Sequence, residues 1–234
     1  MGNRQFDDFD RFAAHYRDDH TSNVKQISGV DSDYFSEYKI MEIKKWEKDA
    51  SDLSVLDFGC GDGNSAAFFK KHLQPRSYCG IDVSSESIDL ASKRGLERCS
   101  FQCYNGEKIP FDTETFDIIF MANVLHHVDF SLHRHMIDEC IRVLKTAGRL
   151  YVFEHNPLNP VTRKIVRDCI FDADAKLIPS RYLVRLLREA GLGTTEKRYT
   201  IFFPRKSFFK ALIPMEKHLN RCPLGGQYFI RCVK

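Results

Sequence analysis

Two rhythms alternate along the chain. Short strand-like segments occur at 54–58, 78–83, about 99–104, 116–121 and 149–154, the fourth nearly continuous apolar, and between them apolar residues recur every three or four positions. The fourth segment reads as a strand covered on both faces, and the intervening stretches predict amphipathic helices. The first such helix is expected within residues 1–30, where Phe6, Phe9, Phe12 and Tyr16 make one stripe that either packs on the domain or lies as a lid over a ligand. A second spans 32–48 through Tyr34, Phe35, Tyr38, Met41, Ile43 and Trp46, and a third runs from Ser65 to about His72. Ser84 or Ser85 caps the next, which carries Ile88, Leu90 and Ala91 and stops at Gly95. Ser131 is expected to cap the clearest one, with Leu132, Met136, Ile137, Cys140, Ile141 and Leu144 on one face and Gly148 closing it. Repeated strand–helix alternation of this length predicts a parallel sheet with right-handed crossovers.

Beyond residue 156 the rhythm changes. Pro157 and Pro160 interrupt the chain ahead of a short helix at 161–170. Ser180–Ala190 reads as a helix with Leu183, Leu186 and Leu187 inward, followed by a strand at 195–203. A basic, aromatic helical insertion over 205–219, broken by Pro214, leads through Gly225-Gly226 to a final strand at 227–233.

At 234 residues the chain is expected to form a single domain: N-terminal helices or lid at 1–50, a ligand-binding core at 51–156, and substrate-side elements at 157–234 with an insertion at 204–224. A net charge of +3 is too small to argue for nucleic acid. The sequence shows no leader pattern and no apolar run of bilayer length, and its eight cysteines form no C-x-x-C pair, so a reducing cytoplasm is expected. His133 and His135 are two apart on a helix and point in different directions; no metal site is expected from them.

The candidate chemistry begins at Val55-Leu56-Asp57-Phe58-Gly59-Cys60-Gly61-Asp62-Gly63, a strand that runs into a glycine turn and then a helix starting near Asn64 or Ser65. Glycines tolerate the backbone angles such a turn needs and let a ligand approach the main chain, while the helix start offers unpaired N–H groups. The position of the third glycine in the dinucleotide fingerprint is Asn64, and no Gly-Lys-Ser/Thr phosphate loop is present. Asp82 follows the next apolar run, where a carboxylate can accept hydrogen bonds from both hydroxyls of a ribose. In open parallel sheets ligands bind at the carboxyl ends of the strands, here between the first and fourth.

This D-x-G-x-G-x-G turn with its acid after the second strand resembles class I S-adenosylmethionine-dependent methyltransferases, over roughly residues 35–155. The resemblance implies a doubly wound, Rossmann-like α/β fold with a seven-stranded, mostly parallel sheet in the order 3-2-1-4-5-7-6, its last strand antiparallel. It implies S-adenosyl-L-methionine as cofactor, held by Asp57, by the turn residues Gly59, Cys60, Gly61, Gly63 and Asn64, and by Asp82 and Val83. The segment Asn105-Gly106-Glu107-Lys108-Ile109-Pro110-Phe111 matches the family's D-A-x-x-L-P-F loop with Asn for Asp, so Asn105 and the Gly106 N–H are expected at the adenine. Ala122, Asn123 and the following Val124-Leu125-His126-His127 resemble the segment flanking the methionine part of the cofactor, with one imidazole, taken as His126, facing the methyl group.

Glu154 and His155 end the fifth strand, where an acceptor must arrive; with His126 they are the candidate acid–base residues. The expected activity is methyl transfer to a small-molecule or lipid- or sugar-linked acceptor, nucleic acid being disfavoured because no N-P-P-Y-type motif or arginine-rich extension is present. A cofactor-binding subunit or assembly factor without catalysis is the alternative reading, and a nicotinamide dehydrogenase a weaker one. Within 201–221 the aromatics are interleaved with Arg205, Lys206 and Lys210, and a peripheral contact with anionic membrane is a further expectation.

Overall fold

The computed structural model describes residues 32–169, 175–204 and 207–234. The expected helix within 1–30 lies outside them, as do Arg205 and Lys206 of the insertion. The first described element is helix α1 (Ser32–Lys44), and a strand–helix series follows: β1 (Ser54–Phe58), α2 (Asn64–His72), β2 (Ser77–Asp82), α3 (Ser85–Lys93), β3 (Cys99–Cys103). Next come β4 (Phe116–Ala122), a 3-10 turn (Leu125–His127), α4 (Phe130–Val143) and β5 (Leu144–His155). The remainder comprises α5 (Pro160–Arg167), α6 (Ser180–Glu189), β6 (Gly193–Thr200), a 3-10 segment (Ser207–Met215), α7 (Glu216–Leu219) and β7 (Gln227–Val233).

The seven strands form one sheet in the order β3-β2-β1-β4-β5-β7-β6. Strands β1 to β5 pair in parallel, and β7 runs antiparallel between β5 and β6. Consecutive strand residues enter opposite cores, as a period-two backbone requires. Val55, Ile118, Phe120, Tyr151, Phe153 and Phe229 pack with Ile40 and Ile43 of α1 and Ala66 and Phe69 of α2. Leu56, Phe58, Ile119, Met121, Leu150, Val152 and Ile230 pack with Ile137 and Cys140 of α4 and Leu183 and Leu187 of α6. Apolar positions on both faces explain why β4 reads as a nearly continuous run.

Several local expectations shift. The cap of α4 is Asp129, not Ser131: its Oδ1 accepts from the Ser131 N–H at 3.0 Å and from the Ser131 hydroxyl at 2.8 Å. That helix ends at Val143 rather than at Gly148, because Leu144 already pairs with Phe116 as the start of β5. Ser84, by contrast, caps α3 as read, accepting from the Ser87 N–H at 3.1 Å. Leu90 and Leu132, expected on buried faces, are exposed.

Candidate active site

At the carboxyl end of β1 the chain turns through Gly59, Gly61 and Gly63, all with positive φ (74°, 51° and 73°). Two of the three are also constrained by neighbours: a Cβ on Gly59 would lie 2.5 Å from Val124 Cγ2, and one on Gly63 would lie 2.9 Å from Ala91 Cβ. A Cβ on Gly61 would meet nothing within 4 Å. Gly61 therefore faces open space beside Asp82, whose Oδ2 accepts from the Gly61 N–H at 2.8 Å while Oδ1 accepts from the Ser84 N–H at 3.0 Å. Arg94, directly after α3, fixes the outer side of the turn through Asp62 Oδ2 at 2.8 Å. Asn64 opens α2 and donates through Nδ2 to Asp33 Oδ1 and Ser36 Oγ, at 2.9 and 3.2 Å, tying α1 to the glycine turn.

Asp57 is 2% exposed and accepts a hydrogen bond from the Tyr78 hydroxyl. Burial pushes its carboxyl up to about 7 against the opposing Tyr78 hydrogen bond, and the charge of Asp82 adds to the rise. Lys39, on α1 and 6% exposed, is brought down to about 8 by burial, although Glu154 and Asp57 both favour its charged form. Lys39 is a member of this site that reading the sequence missed. Its one signal is a lysine directly before Ile40 in an otherwise amphipathic helix, which ordinarily marks a solvated edge. Burial also raises the Cys60 thiol well above its ordinary range, so Cys60 is a packing residue in the turn and no thiolate nucleophile.

The loop at 105–111 is held from α4. Glu139 Oε2 accepts from the Ile109 N–H at 2.9 Å, and Arg142 donates to the carbonyls of Ile109 and Phe111, each at 2.8 Å. Asn105 is exposed, and its Oδ1 already accepts from the N–H groups of Glu107 and Lys108 at 3.0 and 3.4 Å. Part of its accepting capacity is thus spent on shaping the loop. Val83 and Gly106 are half-buried nearby in sequence, at the ends of β2 and β3.

At the β4 exit, Ala122 and Asn123 are half-buried. Asn123 takes the left-handed region (φ 59°), its N–H donates to the Phe153 carbonyl at 2.9 Å, and its buried Oδ1 has no partner among the described residues. The following 3-10 turn brings His126 against β5: its Nδ1 lies 2.6 Å from Glu154 Oε2, and Glu154 Oε1 accepts from the Leu125 N–H at 3.0 Å. The pair is sealed, with His126 2% and Glu154 0% exposed. Glu154, expected to face the acceptor, instead lies on the α4–α6 side of the sheet with both oxygens engaged, because it alternates with Phe153 and His155. His155 is half-buried, and its ring lies 5.3 Å from that of His126. The structure thus brings His126, Glu154 and His155 together and gives the first two a buried, mutually orienting arrangement.

A family model described as a methyltransferase domain matches residues 55–148. The chain is 36% identical over 117 residues to an uncharacterized methyltransferase, YcgJ, of Bacillus subtilis, covering 48% of this chain and 45% of the relative. It is 34% identical over 122 residues to a demethylmenaquinone methyltransferase of Thermotoga maritima, covering 49% and 52%. A phthiotriol/phenolphthiotriol dimycocerosates methyltransferase of Mycobacterium tuberculosis matches at 29% over 136 residues, covering 58% and 47%. The chain spans about half the length of these curated relatives. Likeness of the whole fold extends further. A chain from the complex of the Haloferax volcanii Trm112 methyltransferase activator with a methyltransferase superposes with TM-score 0.70 at 17% identity, over 96% of each chain. A SAM dependent methyltransferase from Archaeoglobus fulgidus gives 0.68 at 14%, over 90% of this chain and 97% of the other.

Proposed function

We propose that the protein is an S-adenosylmethionine-dependent methyltransferase acting on a small-molecule or lipid- or sugar-linked acceptor. The observation that carries this reading is the space above Gly61: in a methyltransferase-family core, it is the one turn glycine whose missing Cβ is not explained by packing, and it adjoins the Asp82 carboxylate. The site fits the cofactor. Asp82 can accept from the ribose hydroxyls, Asp57 lies beneath the turn, and the backbone around Gly59, Cys60, Gly61, Gly63 and Asn64 borders the same space. Val83, Asn105 and Gly106 border the adenine side, and Ala122 and Asn123 the methionine side. When bound, the cofactor supplies an electrophilic methyl group.

The chain's own contribution is to orient the acceptor, exclude water and take up its proton. Glu154 acts through His126: its carboxylate fixes the imidazole by Nδ1. His155, the more accessible imidazole, is the group placed to meet an acceptor at the end of β5. If the acceptor is a hydroxyl, His155→Ala and His126→Ala lower turnover by at least about tenfold while cofactor affinity stays near normal.

Calorimetric titration with S-adenosylhomocysteine tests the assignment. The wild type is expected to bind. Asp82→Ala weakens that binding by about 1.5–3 kcal/mol, the range for losing charged hydrogen bonds, and Gly61→Val blocks it by filling the open space. Unchanged affinity in both variants would sink the reading.

A further inference from the structure

On the α1 side of the sheet, the topmost rung across the last three strands is polar. His155 of β5, Gln227 of β7 and Thr200 of β6 stand in direct register. One rung below on the same side, Phe153 and Phe229 stack with ring centroids 4.9 Å apart. Gln227 and Thr200 are only 6% and 4% exposed, yet Gln227 Oε1 and Thr200 Oγ1 have no hydrogen-bond partner among the described residues. Buried polar groups are overwhelmingly paired, so two adjacent unpaired ones mark a place where something else completes them. Leucine and valine would occupy the same positions without that loss.

Chemistry narrows what completes them. Neither side chain carries charge. The Gln227 amide has one accepting and one donating end, and the Thr200 hydroxyl can do either. A ligand group that both donates and accepts, in one plane and without net charge, satisfies the pair; a carboxamide or lactam edge is such a group. A carboxylate would leave the Gln227 carbonyl without a donor. The rung also contains His155, the imidazole at the acceptor end of β5.

We propose that Gln227 and Thr200 form the acceptor-binding subsite of this enzyme and grip a neutral, amide-like head group beside His155. This rests on the methyltransferase reading above. Once the head is held there, the register sets the neighbouring acceptor atom next to the imidazole, and specificity for the acceptor is written on β6 and β7 rather than in the glycine turn.

Benzamide is the probe, with methyl benzoate, which has lost both N–H donors, as its control. Saturation-transfer NMR on the full chain loaded with S-adenosylhomocysteine is expected to show benzamide binding and a weaker signal from methyl benzoate. Gln227→Leu lowers benzamide affinity at least tenfold and Thr200→Val lowers it several-fold. Both variants keep S-adenosylhomocysteine affinity and melt no earlier than the wild type. A protein that binds S-adenosylhomocysteine but not benzamide overturns the subsite while leaving the cofactor assignment intact. Benzamide binding that is equal in wild type and both variants overturns it too, as does a lowered melting temperature in both variants with benzamide affinity retained, since the pair would then be structural. Loss of S-adenosylhomocysteine binding in the wild type counts against the methyltransferase reading instead, and the benzamide comparison can then be made on the ligand-free chain.

Discussion

Burial holds the Asp57 carboxyl at about 7, so that at neutral pH it is only partly ionised. Its folded-state value of about 7 lies above the ordinary 3.8, so the folded protein binds that proton more tightly than the unfolded chain does. The associated stability is complete below about pH 4 and is lost as pH rises through about 7. Lys39 behaves in the opposite direction: its value falls from 10.5 to about 8, so its contribution is present at high pH and is lost as pH falls through about 8. Denaturant titrations from pH 4.5 to 7.5 should therefore show Asp57→Asn gaining stability relative to wild type as pH rises, by up to a few kcal/mol. A difference between the two proteins that is flat with pH would show that the carboxyl is ionised throughout. At the same scale, Glu154→Ala should cost about 2–4 kcal/mol in urea unfolding, because it strands the Leu125 N–H and the His126 ring in a sealed site.

Elements were more legible than contacts. The strands and most helix limits follow from runs and spacings, since burial on both faces of a parallel sheet leaves an unmistakable apolar record. The pairing of β7 between β5 and β6 came from the resemblance, because two antiparallel edges of similar composition look alike in sequence. In the site, the glycine turn and Asp82 were readable because chemistry there is local: three residues and one carboxylate in fixed order. The coupling of His126 to Glu154, the burial of Lys39 and the unpaired Gln227–Thr200 rung were not, since each depends on residues far apart in the chain meeting across strands. Asp129 as the cap of α4 was missed because two competent oxygens lie two positions apart and either can close the turn. The insertion illustrates the same limit. Its 3-10 segment exposes Phe208 (85%) and Met215 (51%), and Glu216 anchors its base by accepting from the N–H groups of Phe202 and Phe203 at 2.9 and 3.0 Å. If these exposed apolar residues meet membrane, flotation with anionic vesicles at low salt should carry the wild type and release Phe208→Ser/Met215→Ser. Failure of the wild type to float would remove the membrane contact.

At the scale of the whole molecule, the polar rung on β5, β7 and β6 depends on residues 227–233, which join the other two strands. Strand β7 pairs with β5 from Arg149 to His155 and with β6 from Gly193 to Thr200, and it supplies Tyr228, whose hydroxyl donates to the Ile178 carbonyl at 2.8 Å. Ending the chain after Gly226 should leave two unpaired strand edges, and light scattering should detect association of the product at concentrations where the intact protein stays monodisperse. Order of synthesis adds a further consequence. During translation β1 to β5 emerge in an order that lets each find a neighbour, but β6 emerges with no strand to join. It must wait, tethered through the insertion, until β7 slips between it and β5. A nascent chain stalled anywhere between residues 200 and 226 therefore already has its glycine turn, while the polar rung of His155, Thr200 and Gln227 does not yet exist.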